Sequence, residues 1–245
     1  MPRYLIRKLE QVALLSPEDR RLIEELAHRR TFRLAAGEEL AAEGDRPAAP
    51  RLFLEGWACR SKSFADGRRQ IVGLLLPGDF FDLNLDLLQA MDHSVAAVTP
   101  VLLAEIRRDA LEGLAERRPA LARALAWDTL VQASIQREWT LNVGRRTALE
   151  RVAHLLCEIF RRLEAVGLTE GAACELPLNQ TELADATGLS VVHVNRVLRR
   201  LRIAGLLRLR GRQMELPDLP ALNRLALFSP GYLHLARPKP EASIR

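Results

Sequence analysis

The chain has 245 residues, 48% of them hydrophobic, and a net charge of +5, which is enough apolar material for real cores and, at this length, for two modest domains. Its three cysteines, Cys59, Cys157 and Cys174, are far apart and odd in number, which excludes a disulfide framework or a C-x-x-C zinc site. No apolar run approaches the ~20 residues needed to cross a bilayer and MPRYLIRKLE lacks a signal-peptide core, so a soluble cytoplasmic protein with no membrane partner is expected.

In chain order, residues 1–30 read as helical, with Ser16-Pro17-Glu18 as cap, first-turn proline and acid. From Thr31 to Ile106 the texture changes to short apolar runs punctuated by Gly37, Gly44, Gly56, Asp66-Gly67 and Pro77-Gly78, the spacing of an all-β sandwich or barrel. Asp66-Gly67 is a hairpin signal that sets Cys59–Phe64 antiparallel to Arg69–Leu75. Arg107–Arg118 reads as a further helix. A long helix then starts at Pro119, and Asn142-Val143-Gly144 is the natural hinge at its end. Leu121, Ala124, Val131 and Ile135 are spaced close to a coiled-coil seam, widened by Trp127 and interrupted by Asp128, and are the expected dimerisation face, with packing on the chain's own β domain as the plainer alternative. Beyond the hinge, Leu149, Val152, Leu156, Ile159 and Leu163 recur at three- and four-residue steps, and residues 164–177 read as a connection.

The stretch from Leu178 to Met214 carries the chemistry. Asn179 caps a helix with Glu182 three residues on, Gly188 tolerates the positive φ that follows it, and Ser190 caps a second helix, so two short helices meet across a tight turn. In the second, Val194, Val197, Leu198 and Leu201 form an inward stripe, which leaves Val192, His193, Asn195, Arg196, Arg199 and Arg200 outside. Alternation on either side of Gly211 suggests a half-buried hairpin, a wing. Ala186–Met214 contains no Asp or Glu but has Arg196, Arg199, Arg200, Arg202, Arg208, Arg210 and Arg212. Such a field favours phosphates, and a guanidinium suits bidentate contacts to guanine. A solvated charged face is the plainer alternative, but the run coincides with a capped two-helix unit and a hairpin.

This order of parts, together with PGDFFDL in the β segment and T-G-L-S-x-x-H-V-N-R-V-L in the helix pair, resembles the Crp/Fnr family of bacterial transcription regulators over about residues 15–217. The resemblance implies an α+β protein with an N-terminal β-roll, jelly-roll-like, sensor domain (1–118), a dimerisation helix and hinge (119–143), a winged helix-turn-helix domain (144–217) and a C-terminal extension (218–245). It implies a homodimer on a palindromic operator, with RNA polymerase as a further partner; the alternative is an effector-binding module that regulates through protein contacts without specific DNA binding. Arg196 matches the guanine-reading position, Asn195 and Val192 the neighbouring base-contact positions, and Gln180 and Ser190 phosphate-contact positions; Thr181, His193 and Arg199 complete the expected DNA-binding set. Val192 stands where well-known members have glutamate, so it is able to touch a thymine methyl but not to accept from cytosine N4.

An effector pocket, by the same resemblance, would draw on Phe81, Asp82, Leu83, His93, Ser94, Leu130 and Val131. His93 replaces the arginine that pairs with a cyclic phosphate in nucleotide-binding members, which argues against cyclic AMP. The absence of cysteine from residues 1–58 excludes the family's iron–sulfur cluster. Haem stays open as the weaker alternative, with His28, His93 and Cys59 as candidate axial ligands; scattered histidines are more often structural. No P-loop, H-E-x-x-H or G-x-S-x-G motif is present, so nothing supplies enzymatic chemistry.

Overall fold

The computed structural model describes residues 2–81, 83, 90–111 and 113–235. The expected helical run at the start is two helices, α1 (Arg3–Leu9) and α2 (Pro17–His28). The second begins at Ser16 because its hydroxyl accepts from the Asp19 amide (3.1 Å) while the Asp19 carboxylate accepts from the Ser16 amide (2.9 Å), a closed capping box.

Eight strands follow: β1 (Thr31–Leu34), β2 (Glu39–Ala41), β3 (Arg51–Glu55), β4 (Ala58–Ser63), β5 (Arg69–Leu75), β6 (Phe80–Phe81), β7 (Ser94–Ala97) and β8 (Val101–Glu105). They form two antiparallel sheets, ordered β1-β8-β3-β6 and β2-β7-β4-β5, whose inner faces meet at Phe53, Leu75, Phe81, Val95 and Leu103. This is the expected β-roll. The β4–β5 hairpin pairs Ser63 with Arg69 and Ala58 with Leu75, the register that Asp66-Gly67 implies.

The predicted helix over 107–118 is interrupted: α3 (Arg108–Leu111) and α4 (Leu114–Arg117) are separated at Gly113, which has φ +65°. Then comes α5 (Pro119–Arg145), about 40 Å long at 1.5 Å per residue. It runs straight through Asn142-Val143-Gly144, so the break between helices falls at Arg146–Thr147 and not at the expected hinge. Gly144 costs a helix about 1 kcal/mol but does not end it; the stop comes where Thr147 turns extended and caps α6 (Ala148–Val166), with Glu150 returning a bond to its amide (2.8 Å). Helix α6 is buried along almost its whole length and is the core of the second domain.

The stretch read as a connection holds a hairpin, β9 (Thr169–Glu170) and β10 (Ala173–Glu175). It joins the wing strands β11 (Arg208–Arg210) and β12 (Gln213–Glu215) in a four-stranded sheet, order β11-β12-β10-β9. The helix pair is α7 (Gln180–Thr187) and α8 (Val191–Ile203). Past the wing, α9 (Leu219–Leu225) and a 3-10 turn (Pro230–Leu233) fold back on α5 and α6, so this part of the extension is built into the core through Leu222, Phe228 and Leu233. The terminal RPKPEASIR lies outside the described residues. Among the described residues no helix is long and apolar enough to cross a membrane.

A buried ionic cluster joins these parts. Lys8 of α1 contacts Asp79, in the turn after β5, and Asp128 of α5, both at 2.5 Å. Arg162 of α6 reaches Asp79 at 2.7 Å and donates to the Leu74 carbonyl (2.9 Å). Glu158 accepts from Trp139 Nε1 (2.9 Å) and Tyr232 Oη (2.7 Å). Burial alone would raise the Asp79 carboxyl, but Lys8 and Arg162 hold it at about 2. Asp128 and Glu158 are shifted up, chiefly by burial. Gly78 is required here, since at φ +93° a Cβ would sit 2.9 Å from the Tyr4 carbonyl carbon.

Candidate nucleic-acid interface

The helix pair is assembled by local chemistry. Asn179 Oδ1 accepts from the Thr181 and Glu182 amides (both 2.9 Å), and Glu182 accepts from the Asn179 amide (2.7 Å). Gly188, at φ +62°, ends α7 in the left-handed conformation. Ser190 Oγ accepts from the His193 amide (3.2 Å) and starts α8. Arg151 of α6 donates to the Thr187 carbonyl (2.8 Å), anchoring the turn to the core.

At 100° per residue, the buried Val194, Val197, Leu198 and Leu201 share one side of α8, and Val192, Asn195, Arg196, Arg199 and Ile203 fall on the opposite side. All five are exposed, Val192 at 69% and Ile203 at 77%. A shape that leaves aliphatic and cationic side chains together in water is what a reading surface requires. Among the described residues Arg196, Arg199, Arg200, Arg202, Arg210 and Arg212 have no ion-pair partner, whereas Arg208 is paired with Glu215 at 2.9 Å. The six free guanidiniums are donors without an acceptor. Gln180 and Thr181 lie exposed at the start of α7, and Asn195 Nδ2 donates to Gln180 Oε1 (2.8 Å) across the two helices. Gln180, Thr181, Ser190, Val192, His193, Asn195, Arg196 and Arg199, the expected DNA-binding set, are all exposed, on the first turn of α7 and on or at the start of α8.

The predicted effector residues are not brought together. Phe81 is fully buried between the sheets, Val131 belongs to the separate core under α6, and Leu130 is 68% exposed on the far side of α5. Leu83 is half-buried, and Asp82 lies outside the described residues. His93 Nδ1 lies 2.7 Å from the Asp92 carboxylate, and Ser94 Oγ accepts from the Glu43 amide (3.0 Å). A carboxylate beside His93 repels a cyclic phosphate, so the described residues do not suit a cyclic nucleotide at this position. An open cleft of about 620 Å³ lies instead between α2 and the α3–α4 segment, and a small cavity adjoins Lys8, Asp79 and Arg162; neither is lined by His28, His93 or Cys59.

The dimerisation face also needs correction. Leu121 and Ala124 pack with Leu5, Leu9, Ile23 and Leu54, while Val131 and Ile135 pack with Trp57, Ile71 and Leu156, and Trp127 lies half-buried against the same core. These positions hold α5 to its own chain. The free side of the helix carries Ala126, Leu130, Ala133 and Leu141 at steps of four, three and eight. Alanine and leucine recur on both sides of α5, so spacing alone did not separate the two faces. The ionic cluster was missed as well, although Asp128 within an apolar stripe was its signal: a lone acid there demands a buried cation. Arg69 of β5 pairs with Asp185 of α7 at 3.0 Å, a link between the β-roll and the helix pair that no local pattern announces.

A β-roll joined by a long helix to a winged helix-turn-helix with an unneutralised arginine face defines a two-domain DNA-binding regulator. The cyclic nucleotide-binding domain model matches residues 31–118, and the Crp-like helix-turn-helix domain model matches residues 150–225. The transcriptional activator protein FnrL of Cereibacter sphaeroides is 33% identical over 211 residues, 85% of this chain and 84% of FnrL. The nitrogen fixation regulation protein FixK of Azorhizobium caulinodans is 35% identical over 187 residues, 74% of each chain. The solved structure of FixK2 from Bradyrhizobium japonicum superimposes with a TM-score of 0.73 at 29% identity, covering 82% of this chain and 98% of that one. The chain belongs to the Crp/Fnr family of transcription regulators.

Proposed function

We propose that two copies of this chain pack along the Ala126, Leu130, Ala133 and Leu141 side of α5 and present their α8 helices to successive major grooves of a palindromic operator. Twofold pairing places the two reading helices about 34 Å apart, one turn of duplex. Arg196 takes the guanine-reading role, Val192 and Asn195 contact neighbouring bases, and Gln180, Thr181, Ser190, His193 and Arg199 engage the flanking backbone. Residues 1–118 act as the sensor unit, α5 as the dimer and relay element, and the winged domain as the reader. RNA polymerase is the further partner, in keeping with relatives named transcriptional activators.

The observation that carries this reading is the row of exposed arginines without ion-pair partners among the described residues, set opposite the buried face of α8. Fluorescence anisotropy on a selected operator duplex tests it. Affinity is expected to fall steeply with salt, and Arg196→Ala to cost ~1–3 kcal/mol at the operator while relaxing discrimination at one base pair. Equal losses on operator and scrambled duplex would contradict the base-reading role.

A further inference from the structure

Asn195 and Gln180 are both exposed, so water competes for both amides and their mutual hydrogen bond contributes little to stability. Its consequence is orientation. Asn195 Nδ2 donates to Gln180 Oε1 at 2.8 Å, which fixes which end of each amide is free. Asn195 keeps its carbonyl oxygen and one amide hydrogen, which form an acceptor and a donor on one edge when the bonded hydrogen is the one trans to the oxygen. Gln180 has its carbonyl engaged and keeps two amide hydrogens.

The two free edges suit different chemistry. An acceptor beside a donor matches adenine, whose major-groove edge offers the N6 amino group and the N7 acceptor. A pair of donors on the first turn of α7, with Thr181 beside it, suits a phosphate oxygen. Asn195 adjoins Arg196 on the outward side of α8, and the row continues through Arg199.

We propose that the Gln180–Asn195 hydrogen bond is a clamp that sets specificity: Gln180, held against the DNA backbone, locks the Asn195 amide in the orientation that selects adenine next to the guanine read by Arg196. Gln180 is therefore a positioning residue for base choice, although it touches no base. The clamp rests on the DNA-reading role proposed above.

The test uses the full-length chain and a pool of duplexes randomised across the binding site, selected for binding and sequenced. The unaltered chain is expected to enrich a palindrome with adenine at one position in each half-site. Asn195→Ala should erase that preference, roughly five- to 100-fold in relative affinity, and leave the guanine preference intact. Gln180→Ala should erase the same adenine preference. Gln180→Glu keeps an acceptor for Asn195 but offers the backbone no donors, so it should weaken binding to all sequences while the adenine preference persists. Thermal melts that match the unaltered chain establish that each variant is folded. An Asn195→Ala variant with unchanged preferences, or a Gln180→Ala variant that loses affinity evenly across the pool, overturns the clamp. If the unaltered chain enriches no sequence, the underlying reading of α8 fails instead.

Discussion

Two regions of this molecule use the same charged side chains to opposite ends. At the junction of α1, α5 and α6, Lys8 and Arg162 are buried against Asp79, Asp128 and Glu158. On α8 and the wing, Arg196, Arg199, Arg200, Arg202, Arg210 and Arg212 are exposed and have no counter-charge among the described residues. A cation in the first region is part of the fold, because removing it strands a carboxylate in a low dielectric. A cation in the second is idle in the free protein and gains its partner only with a polyanion. The difference predicts which substitutions injure stability and which injure binding.

The largest effect is expected at the cluster. Arg162→Ala removes a buried cation that stands 2.7 Å from Asp79 and 3.6 Å from Glu158, leaving Asp79 to Lys8 alone, and should cost ~3–5 kcal/mol in chemical denaturation, whereas Arg199→Ala should stay within ~0.5 kcal/mol. Equal effects at the two sites would erase the contrast. Next comes the exposed side of α5. Leu130→Glu places a charge where two helices are proposed to meet, forfeiting about 1.5–3 kcal/mol of leucine burial per copy, so sedimentation should show monomers with an unchanged far-UV spectrum. A dimer that persists would move the contact elsewhere.

The pH response is smaller and separates buried groups from exposed ones. His154 is packed between Phe228 and Tyr232, and burial lowers its pKa from 6.5 to about 3. The unfolded chain therefore binds a proton below pH 6.5 that the folded chain refuses, and stability is lost as pH falls from 6.5 toward 3. Asp79 adds to this further down, since a carboxyl held at about 2 contributes above 3.8 and its contribution fades as pH drops through that value toward 2. Urea titrations of the unaltered chain and His154→Gln at several pH values isolate the first effect: the difference between the two should change steadily below pH 6.5 and be flat above it. The smallest effect belongs to Arg69→Ala. It removes a partly exposed bridge between β5 and α7 that is worth ~1 kcal/mol or less, and so should leave the melting temperature nearly unchanged.

How much of this was legible in the sequence depended on how far the controlling groups lie from one another. The caps of α2, α7 and α8 and the Asp66-Gly67 hairpin were read correctly because a side chain and the backbone amide it satisfies are at most three residues apart. The outward row of α8 was equally plain, since Val194, Val197, Leu198 and Leu201 are all apolar and everything between them is not. The hairpin β9–β10 escaped because its strands are two and three residues long, too short for alternation to register. The effector set failed for another reason: it was carried by resemblance to positions whose chemistry this chain has changed, and Phe81, Leu130 and Val131 lie in three different surroundings.

The sequence alone determined most of the elements and the exposed arginine face of α8, because those follow from hydrogen bonds and periodicities confined to a few consecutive residues. Only the tertiary structure decided which side of α5 is covered, which acid Lys8 meets, and that residues 219–235 close over α6. Those choices come from burying apolar area and pairing charges between segments tens to hundreds of residues apart, and no local pattern contains the partner.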